Sequence, residues 1–384
     1  MKVFHIGLRR LCTVLLGLVF FVAGMLKLAD PVGAGLVMDE YFKFFHLQWL
    51  CGLSKAVGVG MALVETLVGA ALLAGIWRKW VALITAVMLA GFTVLTAVLL
   101  IFNPQMDCGC FGEAIHLTHL QTFLKNIVLC ILGAAAFLPV KEYEATRKSK
   151  VIAFGVVALT AAVFTAHSLV SIPMVDFTEF APGTSLAESD GTVDTQQEYT
   201  VIYEKDGVEQ GFTLDNLPDS TWTFVRVDQT GIVLPDGTDS PAFFISDAGG
   251  EYRNELLTSG RVMVVTIYDS GRIKGTERTR MFIDNAEKAG MDVLVVSRDE
   301  VPGLESYRSD YKKIITLNRS NGGATLIDDG EIICKWPARS LPDADDLATI
   351  NEKNSIELMA GRAPRGRIFF EGLMVYSLAV LLIL

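Results

Sequence analysis

The stretch 58-GVGMALVETLVGAALLAG-75 is apolar except for Thr66 and the single charge of Glu65, and it is rich in glycine and alanine. A helix needs about 20 predominantly apolar residues to cross the hydrocarbon core of a bilayer. With its flanking residues, at 55–76, this stretch therefore predicts a transmembrane helix. Its small side chains let neighbouring helices approach closely, which is typical of a packed helical bundle in a membrane.

Four more apolar runs of spanning length lie in the first half of the chain. The 384 residues are 51% hydrophobic but carry a net charge of −10, so a polar part accompanies the apolar runs. The first run follows Arg9 and Arg10 and has no small-residue cleavage pattern before Lys27, which indicates a retained helix rather than a signal peptide. The four runs are 8–28, 80–102, 120–139 and 151–172.

The basic residues of the first half predict the side of the membrane that each loop occupies, because Lys and Arg concentrate in cytoplasmic loops. They precede the first run, fill the turn between the second and third, and lie between the fourth and fifth. All three groups share one side if the N-terminus is cytoplasmic. The segment 29–54, the loop after residue 102 and everything after residue 172 then lie outside the cytoplasm. The basic residues are Lys2, Arg9, Arg10, Arg78, Lys79, Lys141, Arg147, Lys148 and Lys150.

Residues 173 to about 366 mix polar and apolar side chains with frequent turn residues, which predicts an extracytoplasmic globular region. Its first part, 198-EYTVIYEKDGVEQGFTL-214, predicts a hairpin joined at Asp206-Gly207. Its second part follows the order strand, helix, strand, hairpin, which is typical of an α/β sandwich. The predicted strands are 261–269, 291–299, 324–329 and 331–337, the last two joined at Asp329-Gly330, and the predicted helices are 276–289 and 301–310.

The last residues, 367-RIFFEGLMVYSLAVLLIL-384, form a candidate sixth span. Glu371 interrupts this run, and Arg362, Arg365 and Arg367 stand on its outer side. The sequence leaves open whether the segment crosses the membrane.

The loop 107-DCGCFGEAIHLTH-119 holds two of the six cysteines one residue apart. A disulfide across one intervening residue closes a very small ring, so the bond is strained and easily reduced. Gly109 suits such a turn because glycine accepts positive φ. Cys51, which ends the first external segment, offers a third thiol for a relay with Cys108 and Cys110. Cys12 and Cys130 lie inside spans and are read as packing residues.

Two other interpretations of this loop stay open. Cys108, Cys110, His116 and His119 form a Cys-x-Cys-x5-His-x2-His series that could close tetrahedrally on zinc or trigonally on copper(I). The cysteines could equally be small residues in a tight turn, in a protein that acts as a non-enzymatic membrane scaffold or assembly factor.

Lys27 and Glu65 are ionisable residues within predicted spans, where an unpaired charge costs at least a few kcal/mol. One interpretation is an ion pair or hydrogen bond that holds two helices together. The other is that Glu65 accepts or relays a proton released when thiols are oxidised or a quinone is reduced.

The first half resembles the MauE branch of the DoxX-like membrane family over residues 5–140. The resemblance is carried by 24-GMLKLADP-31, by Glu65 within 64-VETLVGAALL-73, by 107-DCGCFG-112 and by Asn126 in the fourth span. It implies a membrane four-helix bundle similar to those of DsbB and vitamin K epoxide reductase. It also implies assistance in disulfide formation outside the membrane, with Asn126 as an intramembrane polar residue and quinone as the electron acceptor; no other cofactor is implied.

The second half resembles the thioredoxin-like domains of the TlpA and peroxiredoxin type from 241-PAFFISDAGGEYRNELL-257 onwards. The whole chain is similar to the Bacteroides-type DoxX family proteins with a C-terminal thioredoxin-like domain. It departs from that pattern in 268-YDSGRIKGTER-278, which has no Cys-x-x-Cys, and in 321-NGGATLI-327, which lacks the facing proline. We therefore expect a docking module rather than a dithiol catalyst, with Cys334 an unsuitable substitute.

Together these features predict a polytopic α-helical membrane protein, with a four-helix bundle plus additional spans and an extracytoplasmic α/β thioredoxin-like domain. We expect a thiol-disulfide redox or maturation protein of the bacterial inner membrane, a candidate quinone-linked oxidoreductase with its soluble domain in the periplasm. The expected partners are membrane lipid, quinone and a periplasmic client protein, and no nucleic acid. The predicted segments are the bundle at 5–140, a fifth helix at 151–172, a β-rich segment at 173–240, the thioredoxin-like domain at 241–350 and the sixth span at 367–384.

Overall fold

The computed structural model forms two compact units. One comprises Met1–Leu169 with Phe370–Leu384, and the other comprises Val170–Phe369. The residues that the structure describes are 2–104, 106–138, 146–186, 197–205, 208–213, 218, 221–233, 239–240, 243–272 and 276–383.

The first unit is helical. Among the residues that the structure describes, six helical segments are long and apolar enough to cross a membrane, and they match the five predicted spans and the candidate sixth. Those segments are Gly7–Ala29, Gln48–Ala74, Arg78–Phe102, His119–Phe137, Lys148–Ser168 and Gly366–Ile383. The elements of this part are α1 (Lys2–Ala29), α2 (Pro31–Phe44), a 3-10 helix (Gln48–Leu53), α3 (Ser54–Ala74), α4 (Arg78–Phe102), β1 (Cys110–Glu113), α5 (His119–Phe137) and α6 (Lys148–Ser168).

Helix α2 lies within 29–54, the segment that the sequence predicts outside the cytoplasm without assigning a helix to it. Its start is fixed by Asp30, whose carboxylate accepts a hydrogen bond from the Gly33 amide at 2.9 Å. Pro31 occupies the first turn, where its missing N–H costs no intrahelical hydrogen bond. The sequence Asp30-Pro31 therefore marks the start of a helix, which a hydropathy pattern alone does not reveal.

Glycines bring α1 and α3 into close contact. A methyl group added to Gly69 on α3 would collide with the Phe21 backbone of α1, and one added to Gly24 on α1 would collide with Thr66. Gly58 of α3 in the same way lies against the Ala34 carbonyl of α2. The small residues of the opening stretch thus allow the close helix approach that the sequence predicts.

The second unit contains two β-sheets. A four-stranded sheet has the order β3-β2-β4-β5, and a five-stranded mixed sheet has the order β10-β9-β6-β7-β8. The strands are β2 (Gln197–Lys205), β3 (Val208–Thr213), β4 (Thr223–Val233), β5 (Asp239–Ser240), β6 (Arg261–Ile267), β7 (Asp292–Ser297), β8 (Tyr307–Arg308), β9 (Gly323–Asp328) and β10 (Glu331–Trp336). The helices that start in this unit are α7 (Glu255–Thr258), α8 (Thr276–Lys288), α9 (Tyr311–Leu317), α10 (Ala344–Glu352) and α11 (Ser355–Ile383).

Both predicted hairpins are confirmed. Strands β2 and β3 pair antiparallel, with Lys205 opposite Val208; the connecting residues 206–207 lie outside the described residues. Strands β9 and β10 also pair antiparallel. Asp329 and Gly330 between them both have positive φ, 46° and 79°, which is the backbone that a two-residue hairpin turn requires.

The five-stranded sheet is buried on both faces, as expected for a strand order that includes a parallel pair. Met263 and Val265 of β6 pack with residues of α8 and α10, whereas Val262 and Val264 pack on the opposite face with residues of α9. The alternation of β6 side chains between two apolar clusters accounts for the unbroken hydrophobic run in its sequence.

The predicted helix at 301–310 is wrong. That segment turns through Gly303, which has φ of 77°, and then forms the short strand β8. The helix begins one residue beyond the predicted segment, at Tyr311, because Asp310 caps it by accepting hydrogen bonds from the Lys312 and Lys313 amides. Pro302 and Gly303 interrupt the helical pattern, and the cap residue sets the true start.

Candidate functional site

A cavity opens among the helices of the first unit. Five of the residues that the sequence predicts as site residues line it together. They come from α1, α3, α5 and the loop between α4 and α5, far apart in the chain: Lys27, Glu65, Cys108, Cys110 and Asn126.

The rest of the cavity wall is largely apolar, with aliphatic and aromatic side chains from α1 to α5. Such a wall fits a hydrophobic ring or chain, while the few polar groups fix its orientation. The apolar lining residues are Val19, Phe20, Ala23, Ala34, Val37, Met38, Met61, Phe92, Leu95, Phe111 and Leu129.

Lys27 and Glu65 form an ion pair that joins α1 to α3. The Lys27 Nζ atom lies 2.8 Å from Oε1 and 2.7 Å from Oε2 of Glu65. The side chains are only 14% and 3% exposed. Each charge therefore compensates the other in a place where an isolated charge would be costly. A proton-relay role for Glu65 remains a prediction.

Asn126 anchors α5 to α4. Its amide donates to the Phe92 carbonyl at 3.2 Å and to the Thr96 hydroxyl at 3.1 Å. Both hydrogen bonds satisfy a buried amide in an apolar bundle and place Asn126 at the cavity wall.

The Cys-Gly-Cys loop is held against α2. Gly109 has φ of 57°, and a methyl group on it would collide with Val37. The Tyr41 hydroxyl donates a 2.7 Å hydrogen bond to the Cys108 carbonyl. Burial raises the pKa of Tyr41 above its ordinary value, so this hydroxyl stays protonated and can act as a donor at physiological pH.

The Cys108 thiol contacts His119 at the start of α5. The Cys108 Sγ atom lies 3.0 Å from His119 Nδ1, and His119 Nε2 lies 2.8 Å from the Pro104 carbonyl. Burial raises the pKa of the Cys108 thiol, partly offset by Thr122 and Lys125. Cys108 is 6% exposed, whereas Cys110 is half-buried.

His116 does not join this contact. Its Nδ1 atom lies 3.5 Å from Asp107 Oδ1, and both side chains are 56% exposed. Within the part of the chain that the structure describes, no group of three or more His, Cys, Asp or Glu residues is placed to hold a metal ion. The four residues of the zinc or copper(I) alternative are therefore close in sequence but are not assembled as a ligand set.

Cys51 lies apart from the lining of the cavity. It sits in the 3-10 helix before α3, where its carbonyl accepts a 2.7 Å hydrogen bond from the Ser54 hydroxyl. That hydroxyl also lies 3.1 Å from Asp39. A relay from Cys51 to the Cys108 and Cys110 pair stays a prediction.

The remaining cysteines lie in packing positions. Cys130 contacts the Thr93 hydroxyl at 3.4 Å, Cys12 is 5% exposed, and Cys334 belongs to the core cluster of the second unit. Buried thiols in such surroundings generally behave as small apolar side chains.

In the second unit, the loop after β6 is fastened by an amide instead of carrying a thiol pair. The Asn321 side-chain oxygen accepts from the Tyr268 and Asp269 amides at 2.9 and 3.1 Å. Its nitrogen donates to the Asp269 carbonyl at 2.8 Å. These contacts lie where the sequence lacks the Cys-x-x-Cys and the facing proline of thioredoxin-like domains.

Comparison with known families gives two matches. Residues 6–139 match the family described as methylamine utilisation protein MauE, which supports a MauE family domain made of apolar helices. Residues 197–232, which include β2, β3 and most of β4, match a domain of unknown function, DUF8463. No curated protein matches the chain.

Proposed function

We propose that the protein is an inner-membrane thiol–disulfide exchange protein that assists disulfide formation or assembly of envelope proteins through Cys108-Gly109-Cys110. The observation that carries this proposal is the convergence of both cysteines, the Lys27–Glu65 ion pair and Asn126 on one cavity. The multi-pass helical architecture and the MauE family match over residues 6–139 support it.

The exchange step conserves atoms and electrons. A client thiolate attacks the Cys108–Cys110 disulfide, a mixed disulfide forms, and a second client thiol displaces the loop sulfur. The client gains a disulfide, and the loop is left with two thiols. A new cycle needs an acceptor for two electrons and two protons.

A lipid quinone is the proposed acceptor. The largely apolar cavity wall supports binding of a ring with an isoprenoid tail, and the loop cysteines and Lys27 also line this cavity. When bound, a quinone would supply the oxidation of the dithiol and leave as hydroquinone. Lys27 and Glu65, which are paired at the cavity wall, are proposed to move a proton in this step.

The second unit is proposed to be a thioredoxin-like docking module. Its strand order β10-β9-β6-β7-β8, with β6 and β7 parallel and β9 antiparallel to β6, supports that fold. The loop after β6 has no cysteine and is fastened by Asn321, which supports a unit that recruits a client without exchanging disulfides itself.

The proposed location follows from charge and aromatic residues. A cytoplasmic N-terminus puts the cysteine loop and the second unit in the periplasm, an oxidising compartment in which disulfides persist. Exposed tryptophans lie beyond both ends of α3. Trp49, before the helix, is 79% exposed, and Trp77 and Trp80, after it, are 49% and 67% exposed. This arrangement is typical of aromatic residues at the two membrane interfaces.

The proposal is tested by replacing both loop cysteines in cells that produce the full-length protein. Cys108→Ser with Cys110→Ser should raise the fraction of free thiols among envelope proteins, whereas Cys130→Ser, in the same bundle but outside the cavity, should not. A scaffold or assembly factor would keep its cellular activity with both loop cysteines replaced. An unchanged thiol fraction in the double variant would therefore refute the exchange function.

A further inference from the structure

The two loop thiols have different surroundings. Cys108 is buried at 6% exposure, and its sulfur contacts an imidazole. Cys110 is only half-buried, and the described contacts give its sulfur no imidazole partner. A client or a small disulfide outside the bundle therefore meets Cys110 more readily than Cys108.

The hydrogen bonds of His119 define which ring nitrogen carries the proton. The Pro104 carbonyl can only accept, so His119 Nε2 donates to it at 2.8 Å. The neutral ring then has its lone pair on Nδ1, the atom 3.0 Å from Cys108 Sγ. The Pro104 carbonyl thus orients the His119 ring so that Nδ1 can receive the thiol proton.

We infer that Cys110 is the thiol that meets the partner, and that Cys108 is the inner thiol whose proton moves to and from His119 Nδ1. This inference deepens the proposed exchange function and rests on it. It gives the two cysteines different and ordered roles.

The step can be written for attack on a mixed disulfide between Cys110 and a partner. The Cys108 thiol gives its proton to His119 Nδ1, and its sulfur attacks the Cys110 sulfur. The Cys108–Cys110 bond forms, the Cys110–partner bond breaks, and the partner leaves as a thiolate. In the reverse direction, which makes a disulfide in the client, Cys108 leaves and takes the proton back from His119.

Other ionisable groups face this contact from the neighbouring elements. Asp107 and Cys110 lie in the same loop, Lys125 on α5, and Tyr41 on α2. Lys125 also lies 4.9 Å from the centre of the Phe111 ring. Among these groups, only His119 has an atom that can accept a proton within hydrogen-bond distance of Cys108 Sγ.

The test follows the reaction of the full-length reduced protein in detergent with dithiobis(nitrobenzoate), in a Cys51→Ser background that removes the other half-buried external thiol. Release of the first thionitrobenzoate reports attack by Cys110, and release of the second reports attack by Cys108. His119→Asn keeps an oxygen near the sulfur but cannot take up a proton. We expect an unchanged first phase and a second phase about 100-fold slower.

Cysteine variants test the order of the thiols. Cys108→Ser should keep the fast phase and leave the mixed disulfide on Cys110, whereas Cys110→Ser should lose the fast phase. The opposite pattern would overturn the assigned order. His119→Gln provides a second removal of the base and should slow the same phase.

Two further histidine variants complete the test. His46→Asn, at an external residue with φ of 57° that asparagine tolerates, should leave both phases unchanged. Equal slowing by His116→Asn and His119→Asn would indicate a joint role and overturn the inference, as would a wild-type second phase in His119→Asn.

The same reagents separate this inference from the proposed function. If His119 controls the second phase in vitro but the double cysteine variant leaves envelope thiols unchanged, the exchange function is wrong and the proton assignment stands. If envelope thiols rise in the double variant but His119→Asn behaves as wild type, the function stands and the assignment is wrong.

Discussion

Gly109 meets two requirements that no other residue type meets together. Its φ of 57° lies in the left-handed region, and its α-carbon lies so close to α2 that a methyl group would collide with Val37. The glycine therefore fixes the position of both neighbouring cysteines, and with them the Cys108–His119 contact.

Gly109→Ala is expected to displace the loop from α2 and to slow the second phase of thionitrobenzoate release. Gly112→Ala is the matched control, because Gly112 also has positive φ, 61°, but its nearest neighbour stands at an ordinary 3.8 Å. Both variants bear the roughly 1–2 kcal/mol cost of left-handed backbone. Gly109→Ala should therefore unfold at a lower temperature than Gly112→Ala, because only the methyl group at 109 collides with Val37. Equal effects would contradict the role given to Val37.

The Lys27–Glu65 pair makes a second residue-scale prediction. Lys27→Met leaves a carboxylate that is 3% exposed without its cation, which should cost about 3–5 kcal/mol of unfolding free energy. Adding Glu65→Leu removes the orphaned charge and should recover part of the loss. Unfolding in mixed detergent micelles measures both variants. An unchanged unfolding free energy in Lys27→Met would show that Lys27 does not stabilise the Glu65 carboxylate.

In the second unit, the buried ion pair between Asp176 and Lys335 predicts a pH dependence. Burial opposes ionisation of Asp176, but Lys335 at 2.6 Å and Thr178 together hold the pKa of the carboxyl below its ordinary value. A depressed folded-state pKa contributes stability that is complete above the unfolded pKa of about 3.9 and is lost as pH falls through the folded value.

Asp176→Asn should therefore destabilise the protein near neutral pH and resemble the wild type in strong acid. Urea unfolding followed by tryptophan fluorescence between about pH 7 and pH 2 measures the difference. Glu179→Gln is the control, because the Glu179–Lys313 pair is 41% and 25% exposed and contributes little. A difference that persisted unchanged in acid would contradict the assignment.

At the scale of elements, the contact between α1 and α3 depends on glycine. Gly69→Ala would drive a methyl group into the Phe21 backbone, whereas Gly60→Ala in the same helix meets nothing within 4 Å. We expect the first to separate the helices and weaken the Lys27–Glu65 pair, and the second to be tolerated. Thermal unfolding in detergent compares them; similar melting temperatures would refute close packing at Gly69.

The helices that cross the membrane could be predicted from the sequence because length and hydropathy are local properties. The hairpins could be predicted because Asp-Gly pairs encode a particular turn. Helix α2 was missed because its signal, Asp30 before Pro31, is a cap and not an apolar run. The helix predicted at 301–310 failed for the related reason that Asp310 caps the next segment.

The site was predictable only in part. Ionisable residues in apolar runs and two cysteines in a loop between such runs are unusual enough to be selected from sequence. Five of the residues selected in this way line one cavity: Lys27, Glu65, Cys108, Cys110 and Asn126. The sequence did not reveal the contacts of Tyr41 and Thr96. It also did not reveal that Cys108 contacts His119 and not His116. These contacts depend on how α2, α4 and α5 pack, which local sequence does not encode.

For the whole molecule, the proposed thiol chemistry belongs to one of the two units. In the second unit, Asn321 fastens the loop after β6, and the one cysteine of the unit, Cys334, is buried in the core. The first unit holds the two loop cysteines and the buried Lys27–Glu65 ion pair on one cavity, with an imidazole in contact with Cys108. This distribution supports the proposed division of labour between docking and exchange.

The most direct measurement is differential alkylation of thiols in cells, before and after reduction, with peptide masses read for the 107–119 loop. The account predicts that a fraction of Cys108 and Cys110 is protected before reduction and becomes alkylated after it, while Cys12 and Cys130 give the same result in both conditions. Cys108 and Cys110 found free in every condition would contradict the central claim that this loop exchanges disulfides.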